Sequence, residues 1–242
     1  MRAHRSIRLL LLAGGAALAW CLVVGRLADG DPMLVVEALV GSAIALWVIQ
    51  VSRELAAARS VERTLAAAFT PAVIAGIACR LTPMLGTDAV VIGALRPRIY
   101  VGFDLVHALS DDEIEAVLHH EDHHRKTHAP LRAAALTGWL RIFGRASLVR
   151  RLILNRLADL ETMADAEALR RGSTAGSLAR ALLKGDVPVG LTTAFSYAAE
   201  QRIEHLLTQA QGDEPASSRR APYEWLPIAM FIVVTFGCHI GL

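Results

Sequence analysis

Long apolar stretches are the strongest constraint that this sequence places on its fold. Residues 9–25 (LLLLAGGAALAWCLVVG) and 225–242 (WLPIAMFIVVTFGCHIGL) contain no Asp, Glu, Lys or Arg, and residues 33–51 (MLVVEALVGSAIALWVIQV) contain only Glu37. At about 1.5 Å rise per residue, a helix of each length approaches the roughly 30 Å of a hydrocarbon core. Hydrophobic residues make up 54% of the chain. The sequence therefore predicts a mainly α membrane protein with about three transmembrane helices.

The charges that flank these stretches predict orientation. Arg2, Arg5 and Arg8 precede the first stretch, and residues 52–63 after the second are again rich in arginine. By the positive-inside rule, the N-terminus and the region after residue 52 are cytoplasmic. The first stretch could also be a cleaved signal peptide, but no clear small-x-small site follows it. We expect a multi-pass protein of the cell membrane, with a transmembrane hairpin in residues 1–52 and a transmembrane helix in residues 223–242.

Residues 53–222 have the length and composition of one domain. Residues 54–79 show helical spacing interrupted near Pro71, and residues 89–102 predict a short β-hairpin. Either strand, 89–95 or 98–102, could offer an open edge to an extended peptide. Three arginines recur through the apolar residues 129–149, and each would cost at least about 2.5 kcal/mol at mid-bilayer. This stretch is expected to lie on the membrane or to pack on the domain as an amphipathic helix or hairpin.

Composition argues against some other classes of function. The net charge is +2, and no basic stripe with interleaved aromatic residues is present, so no nucleic-acid partner is predicted. The three cysteines are far apart in the sequence, which indicates neither a disulfide framework nor a thiolate metal site.

A histidine-rich stretch, residues 117–128 (VLHHEDHHRKTH), carries the chemistry. Ser110 followed by Glu113 forms a capping-box pattern, so a helix is expected to begin here. His120 and His124 are then four residues apart on one helical face, with Glu121 beside the first, as H-E-x-x-H. Two imidazoles one turn apart can bind one Zn²⁺, and the glutamate can act as general base on an activated water.

The other histidines of this stretch allow rival pairs. His119 with His123, and His124 with His128, are also four residues apart. Neither pair encloses a glutamate next to its first member. His119, His123 and His128 are therefore predicted to be solvated or to support the ligands rather than to bind the metal.

A catalytic zinc usually takes a third protein ligand, and residues 155–172 (NRLADLETMADAEALRRG) offer one. Glu161 and Asp165 are four residues apart on a predicted helix and therefore share a face. Glu161 could be the third ligand, and Asp165 could accept a hydrogen bond from a ligand histidine or tie the two helices together. The alternative is an exposed acidic face paired with neighbouring arginines.

The motifs together resemble a known family. VLHHEDHH, then ETMAD as E-x-x-A-D, then EQRIEHLL are similar to the motif series of the membrane-embedded gluzincins, meaning the BlaR/MecR-type metallopeptidases and the related HtpX-like proteases. VIGALRPRIYVG and LSDDEIEAVLHHE also resemble the strand and the helix entrance of that family, so the likeness covers residues 85–207. One departure is that no acidic residue closely follows the zinc-binding motif, where this chain has RKTHAP.

The resemblance implies a gluzincin-type domain with Zn²⁺ bound by His120, His124 and Glu161, Glu121 as catalytic base, Asp165 in a supporting role, and Arg202 near the active site. It implies a zinc-dependent endopeptidase acting on a protein or peptide, with a transcriptional repressor among the candidate substrates. No sensor domain follows Leu242, so a reduced form of the family is expected. The alternative function is a catalytically inactive metal-binding sensor or scaffold in the membrane.

Overall fold

The computed structural model describes residues 32–184, with side chains described from Val36 onward. Helices dominate this part of the chain, which confirms a mainly α fold with a small β element. The helices are α1 (Pro32–Leu65), α2 (Phe103–Ala108), α3 (Asp111–Lys126), α4 (Ala129–Phe143), α5 (Ser147–Arg170) and α6 (Ala175–Lys184). The strands are β1 (Thr70–Ile74), β2 (Ile77–Thr82), β3 (Ala89–Ile92) and β4 (Arg98–Gly102).

The four strands form one mixed sheet in the order β1-β2-β4-β3. β1 and β2 form an antiparallel hairpin whose two-residue turn, Ala75 and Gly76, has φ of 49° and 74°. Positive φ at both central residues is the signature of a tight hairpin turn. The prediction of helical structure over residues 54–79 is therefore wrong beyond Leu65, because the hairpin begins at Thr70.

The predicted hairpin of residues 89–102 is confirmed, since β3 pairs antiparallel with β4. However, β4 also pairs in parallel with β2, so it is an inner strand. Residues 98–102 consequently cannot offer the open edge, which leaves β3 as the edge strand of this hairpin. Gly102 ends β4 where the backbone of Gly86 passes, and a Cβ there would lie 1.9 Å from the Gly86 carbonyl oxygen.

The main core lies between the sheet and α3. Ile99 and Val101 of β4 and Leu118 of α3 are essentially fully buried, and Leu105 of α2 packs with them. The sheet therefore supports the helix that carries the histidine-rich stretch from one side.

Within the described residues, one helical segment is long and apolar enough to cross a membrane by length and composition, namely Val36–Leu65 of α1. Most of its large apolar side chains are exposed, with Leu39 67% exposed and Ile49 50% exposed, whereas Leu65 at its end is buried. The predicted second span thus coincides with this helix. The other two predicted spans, residues 9–25 and 225–242, lie outside the described residues.

Residues 129–149 contain the helix α4, which packs along α1. The Trp47 indole N–H donates to the Ala135 carbonyl at 2.9 Å, and the rings of Trp47 and Trp139 stack with centroids 5.5 Å apart. Gly138 permits this approach, because a Cβ there would lie 2.9 Å from Val51 Cγ2. α4 is 15 residues long and is not among the candidate spans of the described residues.

Candidate metal centre

The helix α3 begins where the capping box predicts. Ser110 is the N-cap residue, and its backbone N–H donates to Glu113 Oε2 at 3.0 Å. Asp111 and Asp112 occupy the first turn, where the helix dipole favours negative charge. Because the helix begins at Asp111, the two histidines of H-E-x-x-H lie on one face of it, and both are buried, with His120 5% exposed and His124 8% exposed.

A carboxylate from α5 meets these two imidazoles. His120 Nε2 lies 3.3 Å from Glu161 Oε2, and His124 Nε2 lies 3.4 Å from Glu161 Oε1. The two Nε2 atoms are 2.9 Å apart, and the rings stand nearly perpendicular at 84°. The predicted convergence of two separate helices on one point is therefore confirmed, and these three residues could hold a metal ion.

The distances between these donor atoms can be compared with those around a tetrahedral zinc ion. Ligands at about 2.0–2.1 Å from zinc at tetrahedral angles are about 3.3 Å from one another. Each Nε2 lies at about that separation from one oxygen of Glu161, which is Oε2 for His120 and Oε1 for His124. The nitrogen-to-nitrogen distance of 2.9 Å is shorter, and it would have to widen by about 0.4 Å to reach that separation. Two imidazoles and one carboxylate are a donor set found in catalytic zinc sites.

Asp165 supports the first histidine from behind. Its Oδ1 lies 2.7 Å from His120 Nδ1, and the residue is 2% exposed. A carboxylate in this place can accept a hydrogen bond from Nδ1–H, and this tautomer leaves the Nε2 lone pair free to bind a metal ion. By contrast, His124 Nδ1 is buried and has no hydrogen-bond partner among the described residues. The two imidazoles are thus supported unequally within this part of the chain.

Asp122, inside the H-E-x-x-H motif, is a structural residue that the sequence reasoning did not single out. Its side chain is 2% exposed and pairs with Arg125 at 2.5 Å, Lys126 at 2.8 Å and Arg171 at 3.0 Å. Burial acts to raise the pKa of Asp122, but the hydrogen bonds from Lys126 and Arg125 outweigh it and hold the pKa below its ordinary value. Arg171 follows α5, so this cluster joins the two helices of the site. The excess of nearby basic residues in the sequence was the available signal.

His119 is not a ligand of the cluster. Its Nδ1 lies 3.1 Å from Ser173 Oγ, its Nε2 lies 3.8 Å from Glu115 Oε1, and it is 8% exposed. Burial, and next the positive charge of Arg171, lower its pKa. The alternative that it is solvated is therefore wrong, and it instead joins α3 to the segment that follows α5.

His123 and His128 also lie outside the group of metal-competent donors found in the described residues. Burial and next the neighbouring His124 lower the pKa of His123. His128 adopts φ of 52° between α3 and α4, and its Nδ1 lies 3.1 Å from the Ala94 carbonyl. The carbonyl accepts only if Nδ1 is protonated. His128 thus joins the end of the site helix to the β3–β4 turn.

Two predicted site residues remain, namely Glu121 as general base and Arg202, which was assigned by resemblance. Glu121 follows His120 on α3 and is partly exposed. Arg202 lies outside the described residues.

Comparison of the chain with models of protein families, with curated proteins and with solved structures finds no match in any of the three. The resemblance to the membrane-embedded gluzincins therefore remains a likeness of motifs.

Proposed function

We propose that this chain is a membrane-anchored, zinc-dependent endopeptidase of the gluzincin type. The observation that supports the proposal is the meeting of His120, His124 and Glu161 from two helices, with each Nε2 within 3.4 Å of a Glu161 oxygen. The glutamate that follows the first histidine is the residue that distinguishes this motif from a plain histidine pair.

Each residue of the site has a role in peptide hydrolysis. His120, His124 and Glu161 would hold the ion, and Asp165 would keep His120 in the productive tautomer. Zinc, when bound, supplies a Lewis acid that polarises a carbonyl and lowers the pKa of water. Glu121 takes a proton from the attacking water as general base and delivers it to the leaving amine as general acid. Arg202 is assigned to the active site by resemblance alone.

The proposed location is the cell membrane, with α1 as one of about three spans and the peptidase domain in the cytoplasm. α1 supports this proposal by its length and its unburied apolar face. The orientation is proposed from the arginines that flank the apolar stretches. The substrate is a protein or peptide, and a transcriptional repressor is one candidate. An extended substrate would add to the open edge of β3, which contacts α3.

The test compares full-length wild-type protein with Glu121→Gln, using Glu115→Gln as the control. Glu115 is an exposed glutamate on the same helix, so the control makes the same chemical change away from the ligands. We expect about one zinc per chain in all three proteins. Protein fragments that appear in the cellular proteome with wild type and Glu115→Gln should be absent with Glu121→Gln.

Two results would reject this function. Purified wild-type protein without metal, with no change in metal content on His120→Ala, would remove the zinc site. Fragments that persist with Glu121→Gln would remove Glu121 as the base. Zinc bound equally by all three proteins, with no fragments in any, would instead favour the metal-binding sensor or scaffold.

A further inference from the structure

A second surface stands out where α4 turns into α5. Residues 143–152, which we call the elbow, expose three large apolar side chains: Phe143 at 38%, Leu148 at 76% and Leu152 at 65%. Leu148 and Leu152 are four residues apart in α5 and therefore lie on one face. Neighbouring exposed apolar side chains of this size mark an interaction surface more often than isolated ones do.

The charges of the elbow indicate what it contacts. Arg145, Arg150 and Arg151 are exposed, and none of them has an ion pair with another residue of the described range 32–184. The surrounding residues 129–158 contain six arginines and no Asp or Glu. A surface buried against an apolar helix would not intersperse guanidinium groups with leucines, because each would lose its hydration. Leucines mixed with arginines that have no ion pair within residues 32–184 are the composition of a segment that lies on anionic lipid.

The contacts between α4 and α1 give the elbow its position relative to a bilayer. Trp47 stacks on Trp139 near the end of the apolar stretch of α1, and tryptophan favours the boundary between lipid and water. Arg141 Nη2 pairs with Glu54 Oε1 at 2.6 Å, just beyond that stretch. The elbow begins two residues after Arg141, so it lies where the headgroups would be if α1 crosses the membrane.

We propose that the elbow docks on the anionic headgroup surface of the bilayer that α1 crosses. Leu148 and Leu152 enter the boundary between headgroups and acyl chains, and the arginines contact lipid phosphates. The inference goes beyond the peptidase function and rests only on the proposed insertion of α1. A second point of attachment would restrain rotation of the domain about α1, since α5, which carries Glu161, begins at this surface.

The experiment measures the depth of fluorescent labels in the full-length protein. The three native cysteines are replaced, and one label is placed by Leu148→Cys, by Ile44→Cys in α1, or by Asp112→Cys at the far end of α3. Each protein is reconstituted in neutral vesicles and in vesicles with anionic lipid, both containing brominated acyl chains as quenchers. We expect strong quenching at position 44 in both lipids, quenching at position 148 that increases with anionic lipid, and little at position 112.

Charge reversal tests the contribution of the arginines. Arg150→Glu combined with Arg151→Glu should lower the docking equilibrium by roughly fivefold for each arginine lost, or more, in anionic vesicles. Arg170→Glu, at the opposite end of α5 and also exposed, is the control and should leave quenching at position 148 unchanged. Circular dichroism and thermal unfolding of each variant verify that the domain is folded, independently of docking and of zinc.

Three outcomes would overturn the proposal. If the label at position 148 were quenched as little as the label at position 112 in anionic vesicles, while the label at position 44 was quenched, the elbow would not touch lipid. If quenching at position 148 changed neither with lipid charge nor with reversal of the two arginines, another segment of the chain would cover the leucines. Position 44 free of quenching would remove the insertion of α1 on which the proposal rests, without affecting the zinc measurement.

Discussion

Asp165 provides the most direct test of the proposed zinc site, because it contacts His120 and not the ion that this histidine would bind. Its Oδ1 lies 2.7 Å from His120 Nδ1, in a place where Asp165 is 2% and His120 5% exposed. Water therefore has little access to replace the carboxylate. Partners of ligand histidines typically contribute 10- to 100-fold to metal affinity. Asp165→Ala, which removes the acceptor altogether, should lie near the upper limit, at about 100-fold or about 2.7 kcal/mol.

Asp165→Asn should have a smaller effect. The amide oxygen can still accept from His120 Nδ1, so the tautomer is retained and only the negative charge is lost. We therefore expect a loss of about tenfold in zinc affinity, or about 1.4 kcal/mol. The assay is competition for zinc between the purified full-length protein and a chromogenic chelator.

Asp159 supplies the matched control on the same helix. Its side chain is 55% exposed and pairs with Arg156 at 3.2 Å, in contrast to the buried carboxylate of Asp165. Asp159→Ala and Asp159→Asn should leave zinc affinity unchanged. If Asp165→Ala bound zinc within twofold of wild type while its metal-free form unfolded more easily, Asp165 would only tie α5 to α3. The reasoning about tautomer control would then be refuted.

Two further predictions concern the fold around the site. Hydrogen bonds from the Lys184 side chain and from the backbone N–H of Ser110 lower the pKa of buried Glu113 from 4.5 to about 2. The ionised carboxylate therefore stabilises the folded protein fully above about pH 4.5, and this contribution is lost as the pH falls towards 2. Glu113→Gln should cost about 2 kcal/mol at pH 7, after allowing for the half-exposed Lys184, and should flatten that acid dependence in unfolding experiments. Gly102→Ala should cost about 3 kcal/mol or more, measured by thermal unfolding, because its Cβ would meet the Gly86 carbonyl.

Control variants distinguish these effects from general sensitivity. Asp112→Asn changes an exposed acid in the same turn as Glu113 and should leave the acid dependence unchanged. Gly41→Ala, with no atom within 4 Å of the new Cβ, should not destabilise the protein. An unaltered acid profile for Glu113→Gln, or wild-type stability for Gly102→Ala, would contradict the corresponding prediction.

The site was predictable from sequence because its geometry is mostly helical and local. A capping box sets the start of α3, and the four-residue spacings then fix which side of each helix carries His120 and His124, or Glu161 and Asp165. Only the meeting of the two helices is non-local, and the chemistry of a zinc ligand set suggested it. That the set binds zinc stays a prediction.

Other features could not be read from spacing. The turn Ala75-Gly76 lacks the Asn-Gly or Asp-Gly signal of a tight hairpin, so the apolar residues on either side suggested a helix. The inner position of β4 depends on its parallel pairing with β2, across an intervening strand and turn. The partner of Asp122, Arg171, is 49 residues later in the sequence, and no periodicity connects them.

Buried charges on either side of the metal centre fix the position of α3. Near its start, Glu113 is 2% exposed and pairs with Arg180 at 3.0 Å and Lys184 at 2.7 Å from α6. Between the two histidines, Asp122 pairs with Arg171 after α5. Such pairs contribute little net stability, because desolvation offsets their attraction, but removing a partner leaves an uncompensated charge. A one-residue slip would turn α3 by about 100° and separate Glu113 from Arg180 and Lys184, and Asp122 from Arg171, although Arg125 and Lys126 would turn with Asp122. These three ion pairs therefore hold His120 and His124 opposite Glu161 in the chain alone, before any ion contributes binding energy.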